Sequence, residues 1–152
     1  MTDPVLTLPL PDEAATVALG RRLAKAAQSG DCLLLSGGVG AGKSTLARAF
    51  IRARCGEAEE VPSPTFTLVQ VYEDGKTEIW HADLYRLTHP DEVWELGLDD
   101  AFQRAICLVE WPDRLGGHLP ERAMHLPLEM AGEGRQAVIR GGRSALRGAA
   151  HG

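Results

Sequence analysis

A chain of 152 residues is long enough to bury an ordinary core in one domain, and its 44% apolar and 24% charged residues are ordinary globular values. The net charge of −5 argues against broad, unaided nucleic-acid binding, which needs a positive surface. The three cysteines, Cys32, Cys55 and Cys107, form no C-x-x-C pair and suit a reducing cytosol; no apolar run approaches the ~18 residues of a membrane span, so we expect a cytoplasmic protein without membrane contact.

Leu6-Thr7-Leu8 alternates apolar and polar and predicts a short first strand. Pro11-Asp12-Glu13 then opens a helix with acidic groups in its first turn. Its apolar stripe runs through Ala15, Leu19, Leu23, Ala26 and Ala27, and Gly30 closes it. Gly20 falls inside this helix, at a cost of ~1 kcal/mol relative to Ala. Cys32-Leu33-Leu34-Leu35 follows, a continuous apolar block of the kind found in a parallel strand covered on both faces.

Directly after that block, Gly37-Gly38-Val39-Gly40-Ala41-Gly42-Lys43-Ser44 fits G-x-x-x-x-G-K-[ST], the loop that wraps the phosphates of a bound nucleotide. Its glycines let successive backbone N–H groups turn toward phosphate oxygens with no side chain in the way. Lys43 adds a positive charge, Ser44 supplies a hydroxyl for Mg2+, and Thr45 continues the motif. Leu46, Ala49, Phe50 and Ala53 recur at helical spacing, so the loop opens a helix whose N-terminus faces the phosphates. That helix is expected to stop near Cys55-Gly56.

Two prolines hold Val61-Pro62-Ser63-Pro64-Thr65-Phe66 extended. A strand from Phe66 to Tyr72, the turn signal Asp74-Gly75 and a return over Thr77 to Leu84 predict a hairpin. Pro90-Asp91-Glu92 opens a short helix that ends at Gly97, and Leu98 to Phe102 forms another. Ala105-Ile106-Cys107-Leu108-Val109-Glu110 is the second strong buried-strand signal, ended by Trp111-Pro112. Met124 to Met130 and Gln136 to Ile139 predict a closing hairpin, and Gly141 to Gly152 is read as a frayed tail. The sum is one α/β domain over 1–152: a P-loop NTPase three-layer sandwich with a largely parallel central sheet and a small antiparallel portion.

A phosphate loop needs acidic partners to hold Mg2+ and position water, and in α/β sheets these sit at strand ends. Glu110 and Asp83 both close strand-like runs; each is either such an acid or a solvated carboxylate. By period-two geometry His81, Asp83 and Tyr85 share one face, where His81 is either a structural histidine or a direct participant. Thr65 either reports the γ-phosphate, as switch loops do, or caps a turn. Trp111 at this stage is equally a core aromatic. No strong general base stands out, so hydrolysis by such a site is expected to be slow.

Leu10-Pro11-Asp12-Glu13, Gly40-Ala41-Gly42-Lys43-Ser44-Thr45, Ser63-Pro64-Thr65-Phe66-Thr67-Leu68-Val69, His81-Ala82-Asp83-Leu84-Tyr85-Arg86-Leu87, Gly97 and Val109-Glu110-Trp111-Pro112, in this order, resemble the bacterial TsaE family, P-loop ATPases of tRNA threonylcarbamoyladenosine biosynthesis. The resemblance implies a weak, Mg2+-dependent ATPase that acts as an accessory to the partner proteins TsaB and TsaD. Those partners modify tRNAs that read codons beginning with A, so tRNA is reached indirectly. By position, Ser44 and Glu110 would hold Mg2+, and Asp83 would be the catalytic or water-positioning acid. Thr65 would lie in a switch-like loop and Trp111 beside the nucleotide; Glu13 and Arg135 are expected to enclose base and sugar. The sequence departs from the family's usual pattern at Ser44, where Thr is commoner, and at Gly38, where Asp is often found. Two rival readings are a small-molecule P-loop kinase, which needs an acceptor pocket and a lid, and a nucleotide-binding adaptor without turnover.

Overall fold

A computed structural model describes residues 5–38, 40–62 and 68–152. Val39 of the glycine-rich loop and the proline-stiffened segment 63–67, with Thr65 and the expected strand start at Phe66, lie outside the described residues. The strands are β1 (Val5–Leu10), β2 (Cys32–Ser36), β3 (Val69–Glu73), β4 (Glu78–Asp83), β5 (Ile106–Glu110), β6 (Met124–Ala131) and β7 (Gly134–Gly141). The helices are α1 (Glu13–Ala26), α2 (Lys43–Cys55), α3 (Glu92–Leu96), α4 (Leu98–Arg104) and α5 (Ser144–His151), with a 3-10 turn over Pro112–Leu115.

All seven strands join one sheet in the order β1-β7-β6-β2-β5-β4-β3. The centre, β6-β2-β5-β4, is parallel, while β1-β7, β7-β6 and β4-β3 pair antiparallel. The antiparallel pairings lie at the edges of this largely parallel centre, from the β6–β7 and β3–β4 hairpins and from β1 added beside β7.

Two-sided burial explains the parallel centre. Leu33 and Leu35 of β2, with Ile106 and Leu108 of β5, pack into a core under α1 and α2. Cys32 and Leu34, with Cys107 and Val109, point the other way, toward Val93, Leu98, Ala101 and Leu115 of α3, α4 and the 3-10 turn. Strands buried on both faces read as continuous apolar runs, as these do.

Gly20 has a packing reason for its place in α1. A Cβ there would lie 2.8 Å from the Leu46 carbonyl oxygen and 3.1 Å from the Ala49 Cβ, so its absence lets α1 lie close against α2. Asp12 caps α1 by accepting the Ala15 N–H at 2.9 Å. The helix ends at Ala26, before Gly30.

The expected frayed tail is corrected: residues 144–151 form α5, which packs on α1. Leu146 and Ala150 are buried, and Arg143 just before the helix grips the Asp31 carboxylate through Nε at 2.8 Å and a terminal nitrogen at 2.7 Å. A stretch rich in Gly, Ala and Arg looks like a tail, yet two apolar side chains and one partly buried bidentate ion pair help to dock it.

Candidate functional site

The site forms where parallel strands end. β5 finishes on Glu110 and β4 on Asp83, and their register pairs Asp83 with Glu110 and Leu35 with Glu110. Residues opposite each other in a sheet point to the same face, so the two carboxylates stand side by side at its carboxyl edge. Over that edge the chain leaves β2, turns through the glycine-rich loop and enters α2 at Lys43.

Glycine is required at two points of the turn. Gly37 has φ 130°, and a Cβ on it would collide with the Leu128 carbonyl oxygen. Gly42, at φ 105°, takes the left-handed conformation needed just before the helix.

Lys43 is buried, with Nζ donating to the carbonyl oxygens of Gly37 at 2.6 Å and Gly38 at 3.0 Å. Its ammonium also lies 4.3 Å from the centre of the Trp111 ring. Burial pulls its pKa down, against the opposing pull of Glu110 and Asp83. Ser44 Oγ donates to Glu110 Oε1 at 3.3 Å, while Glu110 Oε2 lies 2.7 Å from His81 Nε2. Asp83 accepts the Tyr85 N–H at 3.1 Å; burial first, and then the charge of Glu110, push its pKa up.

Trp111 holds an unusual backbone. At φ 60° and ψ 53° it is a bulky residue in the left-handed region, a costly conformation that persists only where its surroundings enforce it. Here the Trp111 N–H donates to the Leu35 carbonyl at 3.3 Å, and the Tyr85 ring lies 4.9 Å from its indole. Its side chain is thereby turned over Lys43 while it still packs against the edge of the second core. From the far hairpin, Arg135 donates to the Gly40 carbonyl at 2.6 Å.

The resulting cleft has a volume of about 410 Å3. Of the residues expected at the site, Glu13, Gly40, Gly42, Lys43, Ser44, Thr45, Asp83, Glu110, Trp111 and Arg135 all border it. Gly37 and Gly38 lie behind, holding Lys43, and Ala41 is buried. Val39 and Thr65 are outside the described residues. Tyr85, which lines the cleft and contacts Trp111, enters the sequence reading only through a period-two face with His81 and Asp83; β4 in fact ends at Asp83, and Tyr85 reaches the cleft from the turn that follows.

The oxygen atoms Ser44 Oγ and Glu110 Oε1, with Asp83 alongside, suit a hard divalent cation. Among the described residues no three His, Cys, Asp or Glu side chains are placed to hold a metal by themselves. A divalent cation held there would have to take the rest of its shell from ligand or water oxygens.

A family model described as threonylcarbamoyl adenosine biosynthesis protein TsaE matches residues 10–138. The chain is 36% identical over 127 residues to the tRNA threonylcarbamoyladenosine biosynthesis protein TsaE of Rickettsia felis, covering 84% of this chain and 74% of that protein. It is 36% identical over 124 residues to the protein of the same name from Bacillus subtilis, covering 81% of this chain and 77% of that one. Among solved structures, the crystal structure of YdiB from B. subtilis superposes with a TM-score of 0.80 at 25% identity, over 99% of this chain and 95% of that one.

Proposed function

The chain belongs to the TsaE family of threonylcarbamoyl adenosine biosynthesis proteins, and from that premise we propose that it is a Mg2+-dependent ATP-binding protein with weak ATPase activity, an accessory to TsaB and TsaD in tRNA modification. One observation carries the nucleotide part of this reading: Lys43, Ser44 and Glu110 converge where a glycine-rich turn enters the N-terminus of α2.

In this reading the loop N–H groups and the α2 N-terminus hold the phosphates. Lys43, held in place by the Gly37 and Gly38 carbonyls, turns its remaining N–H toward them. Bound Mg2+ would neutralise phosphate charge and orient the γ-phosphate, with Ser44 and Glu110 as its protein ligands. Asp83 accepts a hydrogen bond from the attacking water and aligns it for displacement of ADP. A lone carboxylate is a weak base toward water, so turnover by the chain alone is slow. Glu13 and Arg135 border the same cleft and enclose the nucleoside end, while Trp111, stacked over Lys43, lies beside the phosphates.

The test is steady-state ATP hydrolysis by the pure protein, alone and with the TsaB–TsaD pair from the same organism, with and without Mg2+. Slow, Mg2+-dependent turnover that rises with the pair, and is lost in Lys43→Ala, is the expected result. Vigorous turnover alone with no response to the pair would overturn the accessory role, and unchanged ATP affinity in Lys43→Ala would overturn the site.

A further inference from the structure

Glu110 offers its two oxygens to two different neighbours. Oε1 faces Ser44 Oγ at 3.3 Å, and Oε2 lies 2.7 Å from His81 Nε2. The terminal torsion of a glutamate is soft, so whatever fixes one oxygen decides where the other points. His81 lies opposite Leu108 in the sheet, two residues before the Asp83–Glu110 pair. From there its ring reaches Glu110 on the shared face.

The contact is dry, since His81 and Glu110 are each 2% exposed. A carboxylate only accepts, so Nε2 carries the proton of this hydrogen bond. Nδ1 is also buried and has no hydrogen-bond partner among the described residues. An imidazole with one nitrogen left unpartnered in the core is a poor choice for stability alone, because an apolar side chain there would leave no polar atom unsatisfied. Among the described residues, its one hydrogen-bonding partner is Glu110.

We propose that His81 is a positioning residue: by holding Glu110 Oε2 it keeps Oε1 aimed at Ser44 and at a divalent cation bound between them, and so sets how strongly Mg2+ tightens nucleotide binding. The inference rests on the reading of the cleft as a Mg2+–ATP site. A partner that orients a metal-ligating group is commonly worth about 10- to 100-fold in metal affinity.

The experiment compares His81→Gln, His81→Asn and His81→Leu with the unsubstituted protein. A glutamine amide nitrogen reaches roughly where Nε2 stands, an asparagine falls short at Nδ1, and leucine donates nothing. Affinity for a non-hydrolysable ATP analogue is measured by calorimetry in excess EDTA and across a Mg2+ series, and cooperative thermal unfolding selects which of the Asn and Leu variants is compared. Asn or Leu should raise the Mg2+ concentration needed for half-maximal tightening by about 10-fold or more, leave the EDTA affinity unchanged, and be largely rescued by Gln. Equal losses with and without Mg2+ would mark a purely structural role and overturn the proposal. So would Gln faring no better than Asn or Leu, or a wild-type Mg2+ response in every variant. If the unsubstituted protein itself shows no Mg2+-dependent binding, the reading of the cleft fails and this inference goes with it; a normal response there with unaltered variants sinks the inference alone.

Discussion

Asp83 is held where its charged form is disfavoured, by burial and by Glu110 next to it. Its pKa in the folded chain therefore lies above the ordinary carboxylate value. The folded state then binds this proton more tightly than the unfolded state does. The resulting stabilisation is present in acid and is lost as pH rises through the raised value. At neutral pH the ionised side chain is a net burden on the fold, so Asp83→Asn, which keeps an acceptor for the Tyr85 N–H, should raise the midpoint of thermal unfolding at pH 7 by a few degrees while removing hydrolysis. Calorimetric scans from pH 7 down to pH 3.5 should show that advantage shrinking. An advantage that grew toward acid would mean that the Asp83 carboxylate is stabilised in the fold. Both acids were legible in the sequence, because each closes an apolar run and strand ends are where such sheets place their chemistry. The bond between His81 and Glu110 was not, since it depends on β4–β5 register, which no local pattern specifies.

Elements with strong local signals were read correctly: the apolar blocks of β2 and β5, the capped start of α1 and the Asp74-Gly75 hairpin all appear. Contacts between distant partners were not. Arg135 meets Gly40 across 95 residues, and Arg143 meets Asp31 across 112, so neither pairing has a neighbour in sequence to announce it. The second of these pairings anchors α5. Asp31 is only 5% exposed; without Arg143 its charge would keep just the Gln28 N–H, at 2.8 Å. Arg143 keeps 27% of its side chain exposed while Asp31 is buried, so Arg143→Ala, which leaves a buried acceptor short of partners, should lower stability by about 1–3 kcal/mol in urea titrations. Asp31 precedes β2 at the end opposite the one that leads into the cleft, so nucleotide affinity in the surviving folded protein should not change. A loss of ATP binding without a loss of stability would show that α5 serves the site instead of the scaffold.

Considered as a whole, the molecule sets a polar cleft at the carboxyl edge of its sheet and carries a net charge of −5 over 152 residues. Protein–RNA affinity at physiological salt comes largely from neutralised phosphates, each displacing condensed counterions. An acidic chain gains little from that term, and the cations at the cleft already have partners within the fold: Lys43 on Gly37 and Gly38, Arg135 on Gly40. If tRNA is reached only through TsaB and TsaD, the protein alone should bind tRNA no more tightly than ~10⁻⁴ M at physiological salt, the weak end of non-specific binding. Filter binding with labelled tRNA, repeated with the partner pair and with ATP present, separates the cases. Retention that requires the pair fits an accessory that works through other proteins. Tight, salt-sensitive retention by the isolated chain would mean that basic residues gather on one face strongly enough to overcome the net charge, and that tRNA is a direct ligand of this protein.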